Sequence, residues 1–155
     1  MEINQPSPKF QDASIAPMHT AEHILNRTMI NLFGCGRAIS AHIERKKSKC
    51  DYLLSEEPTE QQIREIEQQV NEIINRNLPV TFDYVAKEDV GDRYDLGRLP
   101  DDASDTLRVV RVGDYDDCLC VGLHVENTSK VGRFVIVSHD YEAGRLRLRF
   151  KLMEK

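Results

Sequence analysis

A chain of 155 residues, 40% apolar and 30% charged, has the composition of a soluble globular protein and enough length to bury a core without covalent staples. No apolar run approaches the ~20 residues of a membrane span. The polar, proline-containing start MEINQPSPKFQDASIAP lacks the basic and apolar stretches of a secretory signal, so the cytosol is the expected compartment. A formal net charge of −5 argues against broad, charge-driven nucleic-acid binding, although local basic clusters escape that argument.

Residues 1–16 read as a flexible arm, and residues 17–155 as one domain. After Pro17, the segment MHTAEHILNRTMINLF is predicted to be a helix. Met18, Ala21, Leu25, Met29 and Leu32 recur at three-to-four spacing, and Gly34 and Gly36 stop it. Ile39, Ala41 and Ile43 alternate with polar residues as a half-buried strand would, with CDYLL as a hairpin partner. A second helix is expected from Thr59 to Asn77. It opens on a capping box, Thr59-x-x-Gln62, and carries Ile63, Ile66, Val70, Ile73 and Ile74 on one side. LPVTFDYV reads as a strand, KEDVGDRYDLGRLPDDASD as irregular, and LRVVRV and CLCVGLHV as further strands. RFVIVSHD and RLRLRFKL form a hairpin through Glu142-Ala143-Gly144. The order implies an α+β fold, a two-layer sandwich of antiparallel sheet with helices on one face.

Four cysteines invite three chemistries: disulfides, burial or metal ligation. In a cytosolic chain the last two are favoured. A bridge between Cys118 and Cys120 is strained, because residues two apart on a strand place their Cα atoms about 6.5–7 Å apart. His19 and His23, four apart on a helix, share a face and permit two bonds to one zinc ion, or form an ordinary core-edge pair. HTAEH also matches the inverted metalloprotease signature H-x-x-E-H, with Glu22 as base, but the short chain leaves little room for a substrate chamber. Glu22 reads better as a salt-bridged surface residue. Cys120 and His124 form a second pair with the same spacing. Two such pairs, meeting where the helix crosses the late strand, would make a tetrahedral zinc site of His19, His23, Cys120 and His124. Cys118 is expected to be packing. Arg45-Lys46-Lys47 with Lys49, and the alternating Arg145, Arg147, Arg149 and Lys151, are local basic runs that otherwise read as solvated faces.

HTAEHIL, EIEQQVNEIINRNLPV and LRVVRVGDYDDCLCVGLHVENTSKVGRFVI, in that order, resemble the AlaX-type alanyl-tRNA editing proteins, and through them the editing domains of alanyl- and threonyl-tRNA synthetases. The first motif of that family, H-x-x-x-H, matches at His19 and His23; the second, C-x-x-x-H within CGGTHV, matches CVGLHV at Cys120 and His124. The resemblance implies a cytoplasmic, zinc-dependent hydrolase that removes the wrong amino acid from mischarged tRNA in trans, with Ser- or Gly-tRNA(Ala) as substrates and the tRNA acceptor end as partner. It also marks Thr20, Val121, Gly122 and Leu123 as substrate-binding. Thr20 would offer a hydroxyl, and Val121-Gly122-Leu123 stand where the family has Gly-Gly-Thr. That departure favours an alternative, a non-catalytic zinc-stabilised module that binds tRNA or protein. Four protein ligands also make a closed site, whereas hydrolysis needs an open position.

Overall fold

A computed structural model of the chain describes residues 13–86, 106–120 and 122–154. Most of the expected arm, all of the expected irregular stretch, and Val121 lie outside the described residues.

Of residues 13–16, assigned to the arm by sequence, Ala13 and Ser14 are exposed and Ile15 and Ala16 are packed. Ala13–Ile15 form a 3-10 turn that leads into α1 (Ala16–Phe33), and Ile15 and Ala16 are both buried. Pro17 explains the early start: proline in the first helical turn loses no intrahelical hydrogen bond. Helix α1 is buried on nearly every side, including the polar residues His19, Thr20, Glu22, His23, Asn26 and Thr28. A helix inside the domain has no solvent face to give to Glu22, which is 4% exposed. The surface role expected for it is corrected accordingly.

Helix α2 (Glu60–Asn75) begins as its sequence dictates. Gln62 N–H donates to Thr59 Oγ1 at 3.1 Å, and Thr59 N–H donates to Gln62 Oε1 at 2.8 Å. The cap contributes roughly 1 kcal/mol, and the predicted stripe Ile63, Ile66, Val70, Ile73 and Ile74 is buried.

The strands divide between two antiparallel sheets, where the sequence led us to expect one. β1 (Ser40–His42), β2 (Ser48–Leu53), β6 (Arg133–Glu142) and β7 (Arg145–Met153) form a sheet in the order β1-β2-β7-β6. β3 (Val80–Ala86), β4 (Thr106–Val112) and β5 (Asp116–Leu119) form the other, in chain order. The α+β class is as expected. In the larger sheet the pairs Cys50 with Leu148 and Tyr52 with Leu146 sit on the inner face, joined in the core by Phe134 and Phe150, whose ring centroids are 5.1 Å apart. The opposite face carries Lys49 opposite Arg149 and Asp51 opposite Arg147.

Strand β6 is an open edge that α2 closes with side chains. Asn71 exchanges two hydrogen bonds of 2.8 Å with the Phe134 backbone, and Glu67 accepts from Ile136 N–H at 2.8 Å. The first part of that edge is thereby less open to pairing with a second chain. β6 and β7 turn through Ala143 and Gly144, at φ 52° and 80°. Two successive positive φ values define the type I′ turn that matches strand twist, which the glycine tolerates freely.

Candidate metal centre

The centre forms where α1 crosses β5. Four residues of helix rise about 6 Å, and two residues of strand about 6.6 Å. A stripe at i, i+4, i+8 on the helix therefore stays in step with alternate residues of the strand. Three contacts follow this rule. His19 Nε2 lies 3.4 Å from Cys120 Sγ, His23 Nδ1 lies 3.3 Å from Cys118 Sγ, and Arg27 Nε donates to Asp116 Oδ1 at 3.0 Å.

His124 completes the group at the Cys120 end, its Nε2 3.4 Å from Cys120 Sγ. One donor atom from each of His19, His23, Cys120 and His124 lies within 4.8 Å of the others. Their rings are tightly stacked: His19 and His124 lie nearly parallel with centroids 4.2 Å apart, and His23 stands edge-on to both.

The four donors could hold a metal ion. A thiolate and an imidazole nitrogen sharing a tetrahedral zinc sit about 3.6 Å apart, close to the two 3.4 Å separations seen. The other ring nitrogens are engaged on the protein side. His19 Nδ1 is 3.3 Å from the Leu123 carbonyl, which can only accept, so His19 carries its proton there and leaves Nε2 with a lone pair. His124 Nδ1 is 2.9 Å from Thr20 Oγ1, which also accepts from Val125 N–H at 3.3 Å. The carbonyl contact sets the tautomer of His19, and the hydroxyl contact orients the His124 ring.

Without a metal, the cluster is strongly polarised. Burial disfavours the His23 imidazolium, but the thiols of Cys118 and Cys120 and the carboxylate of Asp116 outweigh it and raise its pKa well above the ordinary value. Burial and the charge of His23 push His124 down to about 3. Burial would also raise Cys120, yet His23 and the contacts from His124 and His19 hold it well below the ordinary thiol range.

The residues expected to bind substrate are arranged unevenly. Thr20 is fully buried, with its hydroxyl committed to His124 and Val125. Leu123 turns its carbonyl inward to His19 while its side chain is exposed. Gly122 is buried, and its carbonyl accepts from Arg108 Nη2, while Arg108 Nε donates to the Cys120 carbonyl at 2.9 Å. Val121 is outside the described residues. Arg108 thus staples the ligand loop to β4, a role the sequence reading missed. Asp116 was missed too, although D-D-C-L-C places residues 116, 118 and 120 on one strand face. Cys118 is buried as expected, but against His23 rather than among apolar side chains alone.

Comparison with known proteins gives two findings. Residues 107–148 match the family model described as the threonyl and alanyl tRNA synthetase second additional domain. The chain is also 34% identical over 131 residues to an alanine–tRNA ligase of Pseudoalteromonas translucida, covering 83% of this chain and 15% of that protein. A Bacillus subtilis alanine–tRNA ligase is 31% identical over 121 residues, covering 77% of this chain and 14% of its own length. The chain therefore spans about a seventh of the length of these relatives.

Proposed function

Since the chain is an AlaX-like editing domain of the alanyl-tRNA synthetase kind, we propose that it is a zinc-dependent hydrolase that deacylates mischarged tRNA in trans, with Ser- or Gly-tRNA(Ala) as the substrate class. The observation that supports this reading is the convergence of His19, His23, Cys120 and His124, with Nε2 of His19 and of His124 turned to the Cys120 thiol.

Zinc held there would polarise an ester carbonyl and lower the pKa of a bound water towards ~7. The protein's own part is positional. Leu123 O holds the His19 proton on Nδ1, Thr20 Oγ1 fixes the orientation of the His124 ring, and Arg108 ties the Cys120 and Gly122 carbonyls to β4. An aminoacyl ester is already activated, so fixing its carbonyl against a water supplies much of the acceleration. The exposed loop Arg45-Lys46-Lys47 and the β2–β7 face are the basic surfaces available to tRNA phosphates. Part of that face is neutralised by the pairs of Arg147 with Asp51 and Arg149 with Asp140, so binding should be modest and weaken with salt.

The closed arrangement of four protein donors supports the second reading, a non-catalytic zinc-stabilised module that binds tRNA or protein. Deacylation of Ser-, Gly- and Ala-tRNA(Ala), with and without chelator, separates the two. We expect chelator-sensitive release of serine or glycine while Ala-tRNA(Ala) is spared. No release above buffer from any of them would leave the binding module.

A further inference from the structure

Asp116 has a side chain fully shielded from solvent, yet only one of its oxygens is occupied. Oδ1 accepts from Arg27 Nε at 3.0 Å and from Arg37 Nη2 at 2.5 Å. Oδ2 has no hydrogen-bond partner among the described residues and lies 3.6 Å from His23 Nδ1. A buried carboxylate oxygen with nothing to accept is costly, so its orientation needs a reason. His23 is the group it faces.

We propose that Asp116 is a positioning residue for the metal centre: clamped by Arg27 and Arg37, it holds the proton of His23 on Nδ1 and so presents Nε2 to the group formed by His19, Cys120 and His124. The inference rests on the metal-site reading given above. It completes a pattern, since His19 and His124 already have their Nδ1 atoms engaged by Leu123 O and Thr20 Oγ1. His23 Nδ1 has a sulfur, Cys118 Sγ, at 3.3 Å but no oxygen at hydrogen-bond distance, and Asp116 Oδ2 at 3.6 Å is the oxygen poised to supply one. A second ion among His23, Asp116 and Cys118, whose donors also cluster within 4.8 Å, is disfavoured because two guanidinium groups already hold the carboxylate.

Asp116→Asn keeps the shape and reverses the instruction. The two arginines retain the amide oxygen, which leaves the NH2 facing His23 Nδ1. That nitrogen must then accept, and the proton moves to Nε2, the atom meant for the metal. Wild-type protein, Asp116→Asn and Cys118→Ala are each titrated with zinc against a chromophoric chelator. The His23 ring is then read by long-range 15N NMR in the zinc-loaded wild type. We expect Nδ1–H with Nε2 ligation in the wild type, a roughly 10–100-fold loss of zinc affinity in Asp116→Asn, and little change in Cys118→Ala. If the wild type takes up no zinc, the metal reading falls and this inference with it. If the wild type binds zinc but Asp116→Asn binds as tightly, the positioning role alone falls. It also falls if His23 ligates through Nδ1, or if Cys118→Ala causes the loss instead. The wild-type NMR spectrum decides the matter even if Asp116→Asn does not fold.

Discussion

Replacing Thr20 with valine tests how far an outer contact governs the centre. Thr20 is fully buried, and valine fits its shape, so no cavity opens and the change is confined to the hydroxyl. Two contacts are lost: 2.9 Å to His124 Nδ1 and 3.3 Å to Val125 N–H. Val125 is only half-buried and water can partly replace the oxygen, so the metal-free protein should lose about 1–2 kcal/mol. His124, no longer oriented by that hydroxyl, should bind zinc roughly 10–100-fold more weakly, equivalent to about 1.4–2.8 kcal/mol. The two effects are measured separately, by urea unfolding of the metal-free protein and by zinc competition with a chelator. Thr20→Ser keeps the hydroxyl and should restore most of the affinity. If Thr20→Val lowers stability but binds zinc within about twofold of wild type, the hydroxyl serves packing alone and the reasoning from outer contacts is wrong.

Zinc should raise the unfolding free energy by about 2.7 kcal/mol at 100 times its dissociation constant. Chelator should reverse this in wild type and have no effect on a His19→Ala, His23→Ala double variant; equal melting in all conditions would count against a metal. Asp51 accepts from Arg147 Nε and Nη2 at 2.8 and 3.0 Å, and those hydrogen bonds hold its pKa below the usual carboxylate value despite burial. A lowered folded pKa gives stability that is complete above the unfolded value of about 3.9 and disappears as pH falls through the folded one. Asp51→Asn should therefore cost about 1–3 kcal/mol at pH 7, with the gap to wild type closing below pH ~4 in urea titrations. Gly132→Ala should cost about 1–3 kcal/mol or more, because φ is 96° and the new Cβ would sit 2.6 Å from the Met153 carbonyl oxygen. Gly36→Ala meets nothing within 4 Å and should be nearly neutral in the same unfolding assay.

Local chemistry made much of this legible. The Thr59–Gln62 box, the isoleucine stripe of α2 and the Glu142–Gly144 turn are short-range signals, and each formed as read. The donor pairs at 19/23 and 120/124 were visible because i, i+4 spacing survives in any helix or tight loop. The division into two sheets was not visible, since strand order depends on which edges meet and no local pattern encodes that. Glu22 was misplaced because the first three turns of α1 are enclosed, so their polar residues no longer mark a solvent face. Asp116 and Arg37 are 79 residues apart, and Arg108 reaches Gly122 from another strand. Contacts of that kind exist only once the helix-to-strand register is known.

His19 and Cys120 are separated by 101 positions in the chain. An ion bound between them would act as a cross-link around that whole excursion, confining the denatured ensemble by up to about 4.7 kcal/mol on the arithmetic used for disulfides. Doubling the excursion would add only about 0.6 kcal/mol. The architecture therefore tolerates insertions between the two ligand pairs at little thermodynamic cost. A loaded protein cut once in the long connection between β3 and β4 would have its two fragments joined through the ion as well as through the β2–β7 and β3–β4 pairings, so stripping the ion should weaken their association.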